Sequence, residues 1–197
     1  AFANTINQIV ERSKKFSFTK IAAIESRGFV FASAVSYILK KPFIMLRKKN
    51  KLPADVHSVD FELEYGTATI EVHKDSINNN DSVLIIDDLI ATGGTADAAA
   101  KLIEISKGKV AGFIFVINLP DLGGTDILTK KNYTVENLID FPGHWMQKTP
   151  SQKDLDTLME HYKAGRFKKV EKIAISLTKD FPNHALGWKA LAIAFKQ

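Results

Sequence analysis

VLIIDDLIATGGT, residues Val83–Thr95, opens with four aliphatic residues, sets two acids side by side and ends in a Gly-Gly pair between threonines. So short and dense an apolar run fits a strand covered by helices on both faces. Asp87 and Asp88 then fall at its C-terminal edge, where open α/β sheets hold their ligands. The residues that follow, Ala91, Thr92, Gly93, Gly94 and Thr95, read as a loop that opens a helix. N–H groups at a helix start lack intrahelical partners and the macrodipole is positive there, so this loop can wrap a phosphate. Gly93 and Gly94 let the backbone approach closely, and the two threonine hydroxyls add donors. Carboxylates only accept hydrogen bonds. They suit sugar hydroxyls or metal-bound water and would repel a phosphate set against them. Acids for ribose beside amides for phosphate describe a ribose 5-phosphate site. The stretch is neither a Walker A loop nor a GxGxxG fingerprint. A tight turn with solvated acids is the plainer reading of a lone Gly-Gly, and the thirteen-residue combination argues against it.

Outward from this stretch, strands and helices alternate. Lys20–Glu25, Ser82–Asp87 and Val110–Ile117 are nearly continuous apolar runs, with Pro42–Arg47 a fourth. Helical spacing runs over Phe2–Lys14, Phe29–Lys40 and Thr95–Lys107, the last closed by Gly108 as a left-handed cap. His57–Val72 alternates like a hairpin with Gly66 in its turn. The pattern predicts an α/β fold with a parallel twisted sheet and flanking helices. Asn78–Asn80 should fill a turn through left-handed conformations, and Ala54 after Leu52-Pro53 looks innocuous.

The composition changes near Gln147–Lys153, where Pro150 interrupts a polar stretch, and no strand signal follows. Leu155, Leu158 and Tyr162 recur one repeat later as Trp188, Leu191 and Phe195, with Pro182 before the second set. We therefore expect two domains, 1–147 and 148–197, the second a short α-helical repeat segment resembling tetratricopeptide helices.

The bulk properties exclude more than they select. The chain has 197 residues, a net charge of +5 from 27 basic and 22 acidic residues, and no cysteine, so neither disulfides nor thiolate metal sites hold it. A cytoplasmic setting is expected. No run approaches the ~20 apolar residues needed to cross a bilayer. The mild basic excess suits a polyanionic small molecule as well as a nucleic acid.

Three further segments carry charge in suggestive places. ESRGF ends the first strand, so Ser26 and Arg27 occupy a strand-to-helix loop that suits an anion. A surface ion pair is the simpler reading of that arginine. RKKNKLP gathers Arg47, Lys48, Lys49 and Lys51 within five positions. Without interleaved aromatics or a recognition helix, polyphosphate binding fits it better than nucleic acid. FELEYG lies in the hairpin, and alternation alone would make it an ordinary one.

Taken in order, ESRGF, RKKNKLP, FELEYG with EVHKD, and VLIIDDLIATGGT resemble the adenine phosphoribosyltransferases, members of the type I phosphoribosyltransferase family, over about residues 1–145. The resemblance implies transfer of the phosphoribosyl group of phosphoribosyl pyrophosphate to adenine, giving AMP and pyrophosphate in purine salvage. It implies that Ser26, Arg27, Arg47, Lys48 and Lys51 hold pyrophosphate and that Asp87 and Asp88 hold ribose. It further implies that Ala91, Thr92, Gly93, Gly94 and Thr95 hold the 5-phosphate, and that Leu89 packs on the purine. Glu64 and Tyr65 correspond to residues of a mobile lid near the base and the reacting centre. With Asp87, they form the expected catalytic set. Mg²⁺ is the implied cofactor, bridging pyrophosphate and ribose hydroxyls with no residue assigned as a ligand, and a homodimer is the implied assembly. The family's N-terminal Phe-Pro-x-Pro-Gly hood has no counterpart after Ala1. The C-terminal helices lie outside the usual enzyme and are candidates to recruit a protein partner. The competing readings are a phosphoribosyl-pyrophosphate sensor that has lost catalysis, since fold does not fix function, and an interaction protein carried by the helical tail.

Overall fold

The apolar runs of the first 142 residues assemble side by side. The computed structural model describes residues 1–62, 67–142, 150–181 and 185–194, and the chain divides into two units, Ala1–Pro142 and Gly143–Gln197. The expected 147/148 boundary falls among residues 143–149, outside those described.

In the first unit the order is α1 (Phe2–Ser13), β1 (Lys20–Ile24), α2 (Gly28–Leu39), β2 (Phe43–Lys48), β3 (Val56–Glu62), β4 (Thr67–His73), β5 (Ser82–Ile90), α3 (Gly94–Ile105), β6 (Lys109–Asn118), a 3-10 turn at Pro120–Leu122, α4 (Gly124–Lys130) and β7 (Val135–Asp140). The strands form one sheet in the order β3-β4-β2-β1-β5-β6-β7. Strands joined through helices run parallel, as crossover connections require, and β2-β1-β5-β6-β7 is the parallel part. The β3–β4 hairpin pairs antiparallel within itself and against β2, so the sheet is mixed rather than wholly parallel.

Period-two alternation sorts the strand residues between two cores. Ile21, Ala23, Leu84, Ile86 and Ile114 pack with Ile6 and Ile9 of α1 and Ala32 and Val35 of α2. Ala22, Ile24, Val83, Ile85 and Phe113 face Ala99, Leu102 and Ile103 of α3 and Leu128 of α4. Both faces of β1 and β5 are therefore dry, which accounts for their unbroken apolar sequence. Each fully buried Ile or Leu contributes about 1.5–3 kcal/mol of transfer free energy. Small residues Ala96, Ala98, Ala99 and Ala100 bring α3 close to the sheet.

Some expectations need correction. β5 continues past the acids to Ile90, because Leu89 and Ile90 go on pairing with Ile117 and Asn118 of β6. Gly108 is not the left-handed residue after α3; Lys107 is, at φ 68°. Gly108 is required instead by packing, since a β-carbon there would lie 2.6 Å from Ile77 Cγ2. The Asn78–Asn80 turn is held by side chains without left-handed backbone: Asp81 Oδ2 accepts from Asn78 N at 2.8 Å and Asn78 Oδ1 from Asn80 N at 2.9 Å. α4 and β7 were not anticipated.

The second unit is helical, as expected, with α5 (Gln152–Lys163), α6 (Phe167–Asp180) and α7 (Ala185–Ala194). Leu158, Val170, Ala174, Leu177 and Ala190 form its core. Ser151 and Asp154 close a capping box at the start of α5. Of the residues expected to recur, Leu158 is buried where its counterpart Leu191 is half-buried, and Trp188, the counterpart of the half-buried Leu155, is 53% exposed, so the two sets are not equivalent in packing. Phe195 lies outside the described residues.

Ala54 is less innocuous than its sequence context suggests, because it stands at φ 67° with its side chain exposed. A left-handed alanine costs about 1–2 kcal/mol, and glycine would relieve that while adding about 0.4–1 kcal/mol of unfolded-chain entropy. Ala54→Gly is therefore expected to stabilise the protein by roughly 0.5–1 kcal/mol. A urea midpoint unchanged or lowered in the variant would contradict this.

Candidate functional site

β1 and β5 are neighbours, yet the helix after β1 packs on one face of the sheet and the helix after β5 on the other. The two connections part at their C-terminal ends and leave a crevice, the usual ligand position of an open α/β sheet. A cleft of about 370 Å³ occupies it. One side is Glu25, Ser26 and Arg27 at the start of α2, where the Glu25–Ser26 peptide is cis. The other is Ala91–Thr95 at the start of α3, with Asp87, Asp88 and Leu89 between them and Lys48 on the rim.

Neither α2 nor α3 has a side-chain cap at its N-terminus. Two uncapped helix starts therefore aim positive dipole ends at one volume. Gly93, at φ 83°, turns the chain from strand into helix, a conformation that suits glycine.

Asp87 is the electrostatic anomaly. Burial pushes its carboxyl up to about 7; the neighbouring Asp88 charge adds to this, while the Asp88 N–H at 2.9 Å and the Arg27 charge oppose it. Gly28 gives the carboxylate room, since a β-carbon there would lie 2.6 Å from Asp87 Oδ1. Asp88 receives Arg27 Nε at 2.5 Å. With the Arg27 side chain 75% exposed, that pair is worth at most about 1 kcal/mol and gives way readily to an anionic ligand.

Of the residues singled out in the sequence, the cleft gathers Ser26, Arg27, Lys48, Asp87, Asp88, Leu89, Ala91, Thr92, Gly93, Gly94 and Thr95. Arg47 and Lys51 do not line it. Arg47 donates from Nε to Glu25 Oε2 at 3.3 Å and from a terminal nitrogen to Lys51 O at 3.2 Å, shaping the basic loop from within. Glu64 and Tyr65 lie outside the described residues. Glu62, where β3 ends, places its carbonyl 3.3 Å from the position a β-carbon on Gly94 would take.

Residues 2–143 match the phosphoribosyl transferase domain family, so the match ends one residue past the first unit. Adenine phosphoribosyltransferase of Pelagibacter ubique is 78% identical over 144 residues, 73% of this chain and 82% of that protein. The chain belongs to the adenine phosphoribosyltransferase family. The enzyme of Actinobacillus pleuropneumoniae serotype 5b is 49% identical over 73% of this chain and 80% of its own length. The crystal structure of adenine phosphoribosyltransferase from Thermoanaerobacter pseudethanolicus superposes with a TM-score of 0.68 at 41% identity, covering 71% of this chain and 80% of that one. The Giardia lamblia enzyme complexed with 9-deazaadenine gives a TM-score of 0.68 at 33% identity, covering 73% and 80%.

Two residues not singled out in the sequence also shape the cleft. Glu25 lines the cleft, and burial would raise its carboxyl, but hydrogen bonds from Lys48 N at 2.8 Å and Arg47 hold it below its ordinary value. It ties the first loop to the basic one. Gly124 meets the Ala91–Thr95 loop from behind. A signal for it existed: Gly123-Gly124-Thr125 repeats the Gly93-Gly94-Thr95 triplet.

Because the Asp87 carboxyl is raised in the folded protein from about 3.8 to about 7, its neutral form is the stabilising one. That contribution is complete below the unfolded value and is lost as pH rises through 7. Asparagine keeps the acceptor that Asp88 N uses and never ionises. The unliganded Asp87→Asn variant should therefore gain on the parent as pH climbs from 4 to 8, by on the order of 2 kcal/mol. Thermal melts across that range test it, and a pH-independent difference would refute it.

Proposed function

We propose that this chain transfers the 5-phosphoribosyl group of phosphoribosyl pyrophosphate to adenine, forming AMP and pyrophosphate. The observation that carries the reading is one cleft holding an uncapped helix start, two carboxylates and, with them, Ser26, Arg27 and Lys48. Amides of Ala91–Thr95 take the 5-phosphate, where charge and dipole agree. Asp87 and Asp88 take the ribose hydroxyls. Ser26, Arg27 and Lys48 hold pyrophosphate, with Arg47 and Lys51 shaping the basic loop behind them and reaching the ligand when that loop moves.

Adenine N9 attacks C1′ as the bond from C1′ to the pyrophosphate oxygen breaks, through a transition state with oxocarbenium character. Fixed carboxylates below the ring stabilise that developing positive charge, and they need no reorganisation as it forms. Leu89 supplies an apolar surface for the purine. Glu64 and Tyr65 act from the hairpin lid, Glu64 managing a proton on the base, while closure excludes water that would hydrolyse the sugar donor. The Glu62 carbonyl close to Gly94 supports this, since the hairpin comes to the cleft's phosphate end.

Mg²⁺ fits the donor set. Among the described residues no group of three or more metal-binding side chains exists. A magnesium ion commonly takes only one or two carboxylates, with substrate phosphates and waters completing its shell. Asp87 and Asp88 are the residues that would hold it, through water. When bound, the ion neutralises charge on the departing pyrophosphate.

The assembly in this reading is a homodimer. Val30, Tyr37 and Ile38 form an exposed apolar stripe along α2, Tyr37 being 85% exposed, and Met45 of the adjacent β2 is exposed as well. A stripe of that kind on a helix next to the cleft suits a second copy of the chain. The C-terminal helices are read as a tetratricopeptide-like segment that recruits a protein partner, supported by the succession of α5, α6 and α7 around one small core. A cytoplasmic enzyme of purine salvage is the setting these roles suit.

A coupled assay with adenine, phosphoribosyl pyrophosphate and Mg²⁺, repeated with hypoxanthine and guanine, is expected to give turnover with adenine alone. Asp87→Asn should lower kcat by about 10²–10³-fold, the scale of losing one preorganised electrostatic group, while remaining folded. Binding of phosphoribosyl pyrophosphate without turnover of any purine would replace the enzyme reading by a sensor. Light scattering on the purified chain should report a dimer that Tyr37→Glu weakens; an unchanged mass for that variant would remove α2 from the interface.

A further inference from the structure

Gly124 does not line the cleft, yet it touches the phosphate loop at its two most sensitive points. Its N–H donates to Ala91 O at 2.9 Å. A β-carbon on it would lie 2.3 Å from that same oxygen and 2.7 Å from Gly93 N. In the other direction, a β-carbon on Gly93 would lie 2.9 Å from Gly124 O. Two backbones therefore meet with no side chain between them, and the loop can take its shape only if Gly124 stays where it is.

What holds Gly124 is a short polar chain. The next residue, Thr125, donates its hydroxyl to Asn118 Oδ1 at 2.9 Å. Asn118 is 6% exposed, and its amide nitrogen donates to Asp140 Oδ1 at 2.9 Å. Both ends of a buried amide are thus satisfied, which fixes its orientation. Asn118 is also the ladder partner of Asp140 on one side and of Ile90 on the other, at the C-terminal ends of β7 and β5. Asn137 adds a weaker contact, Nδ2 to Thr125 Oγ1 at 3.4 Å. The rigid sheet end is connected through Asn118 and Thr125 to Gly124, and through Gly124 to the loop.

We propose that Asn118, Thr125 and Gly124 are positioning residues that aim the Ala91–Thr95 amides at the 5-phosphate, an inference that rests on the ribose 5-phosphate reading of the cleft. Recognition by backbone amides leaves no side chain in the loop to tune, so precision has to come from what the loop leans on. The brace acts at the phosphate end and does not reach the base.

The test uses the full chain and ribose 5-phosphate as probe, followed by steady-state kinetics. Thr125→Val keeps the shape and removes the hydroxyl. It should weaken ribose 5-phosphate binding and raise the KM for phosphoribosyl pyrophosphate by about fivefold, as loss of one hydrogen bond implies, with the KM for adenine unchanged. Thr125→Ser, which keeps the hydroxyl, should restore both. Gly124→Ala should be worse than Thr125→Val, and if it fails to fold, the valine variant still decides the matter. Parental affinity for ribose 5-phosphate in Thr125→Val, or an equal rise in both KM values, would overturn the brace. A folded parent that binds no ribose 5-phosphate would instead overturn the phosphate reading beneath it.

Discussion

Contact between the Gly93 and Gly124 backbones is the constraint on which the site's geometry depends. A phosphate held by main-chain amides is recognised by the path of the backbone, and that path must be imposed from outside the loop. Here the imposing surface is the start of α4, anchored to the sheet's end. Either glycine replaced by a residue with a β-carbon would force the two segments apart by several tenths of an ångström or more. The same economy appears at Gly28, whose missing side chain makes room for the Asp87 carboxylate.

The sheet supplies the other half. With β1 and β5 dry on both faces, neither can shift without opening a core. Their C-terminal ends therefore deliver Glu25–Arg27 and Asp87–Asp88 to fixed positions in one crevice. Stability is given up at that point. An acid whose folded-state value is raised to about 7 disfavours the ionised protein near neutral pH, as expected where a charge is kept for a ligand rather than for the fold. Arg27 compensates only from a solvent-exposed position, so the approach of an anion and a cation to the same cleft meets little internal resistance.

Much of this was legible in the sequence because it is carried by local pattern. VLIID, KIAAI and VAGFIFVI read as buried strands, and β5 lies beside β6 through the helix α3 that links them. The turn from β5 into α3 was legible because Gly93 and Gly94 stand between an apolar run and a helical one. What escaped is contact between distant segments. Gly124, Asn118 and Glu25 act on segments distant in sequence, and apart from the repeated Gly-Gly-Thr triplet at Gly124 nothing in their immediate neighbourhoods marks them. The charge of Arg47 is visible in the sequence and its partner is not: Glu25 pairs with it inside the basic loop, while the exposed Lys48 faces the cleft. Ala54 shows the same limit in the backbone, since no composition reports a positive φ.

The limit of the family match agrees with this division of labour. It ends at residue 143, one residue past the first unit, and every element that positions the cleft lies before it. The helices after it keep a core of their own in Leu158, Val170, Ala174, Leu177 and Ala190, none of which is needed to place a residue in the cleft. Substitutions within that core should therefore separate from those around Gly124 in their effect: the first would act on the helical unit alone, the second on the affinity for a sugar phosphate. A brace made of backbone contact and one buried amide has few ways to relax, and that is why it can specify a binding geometry from behind without touching the ligand.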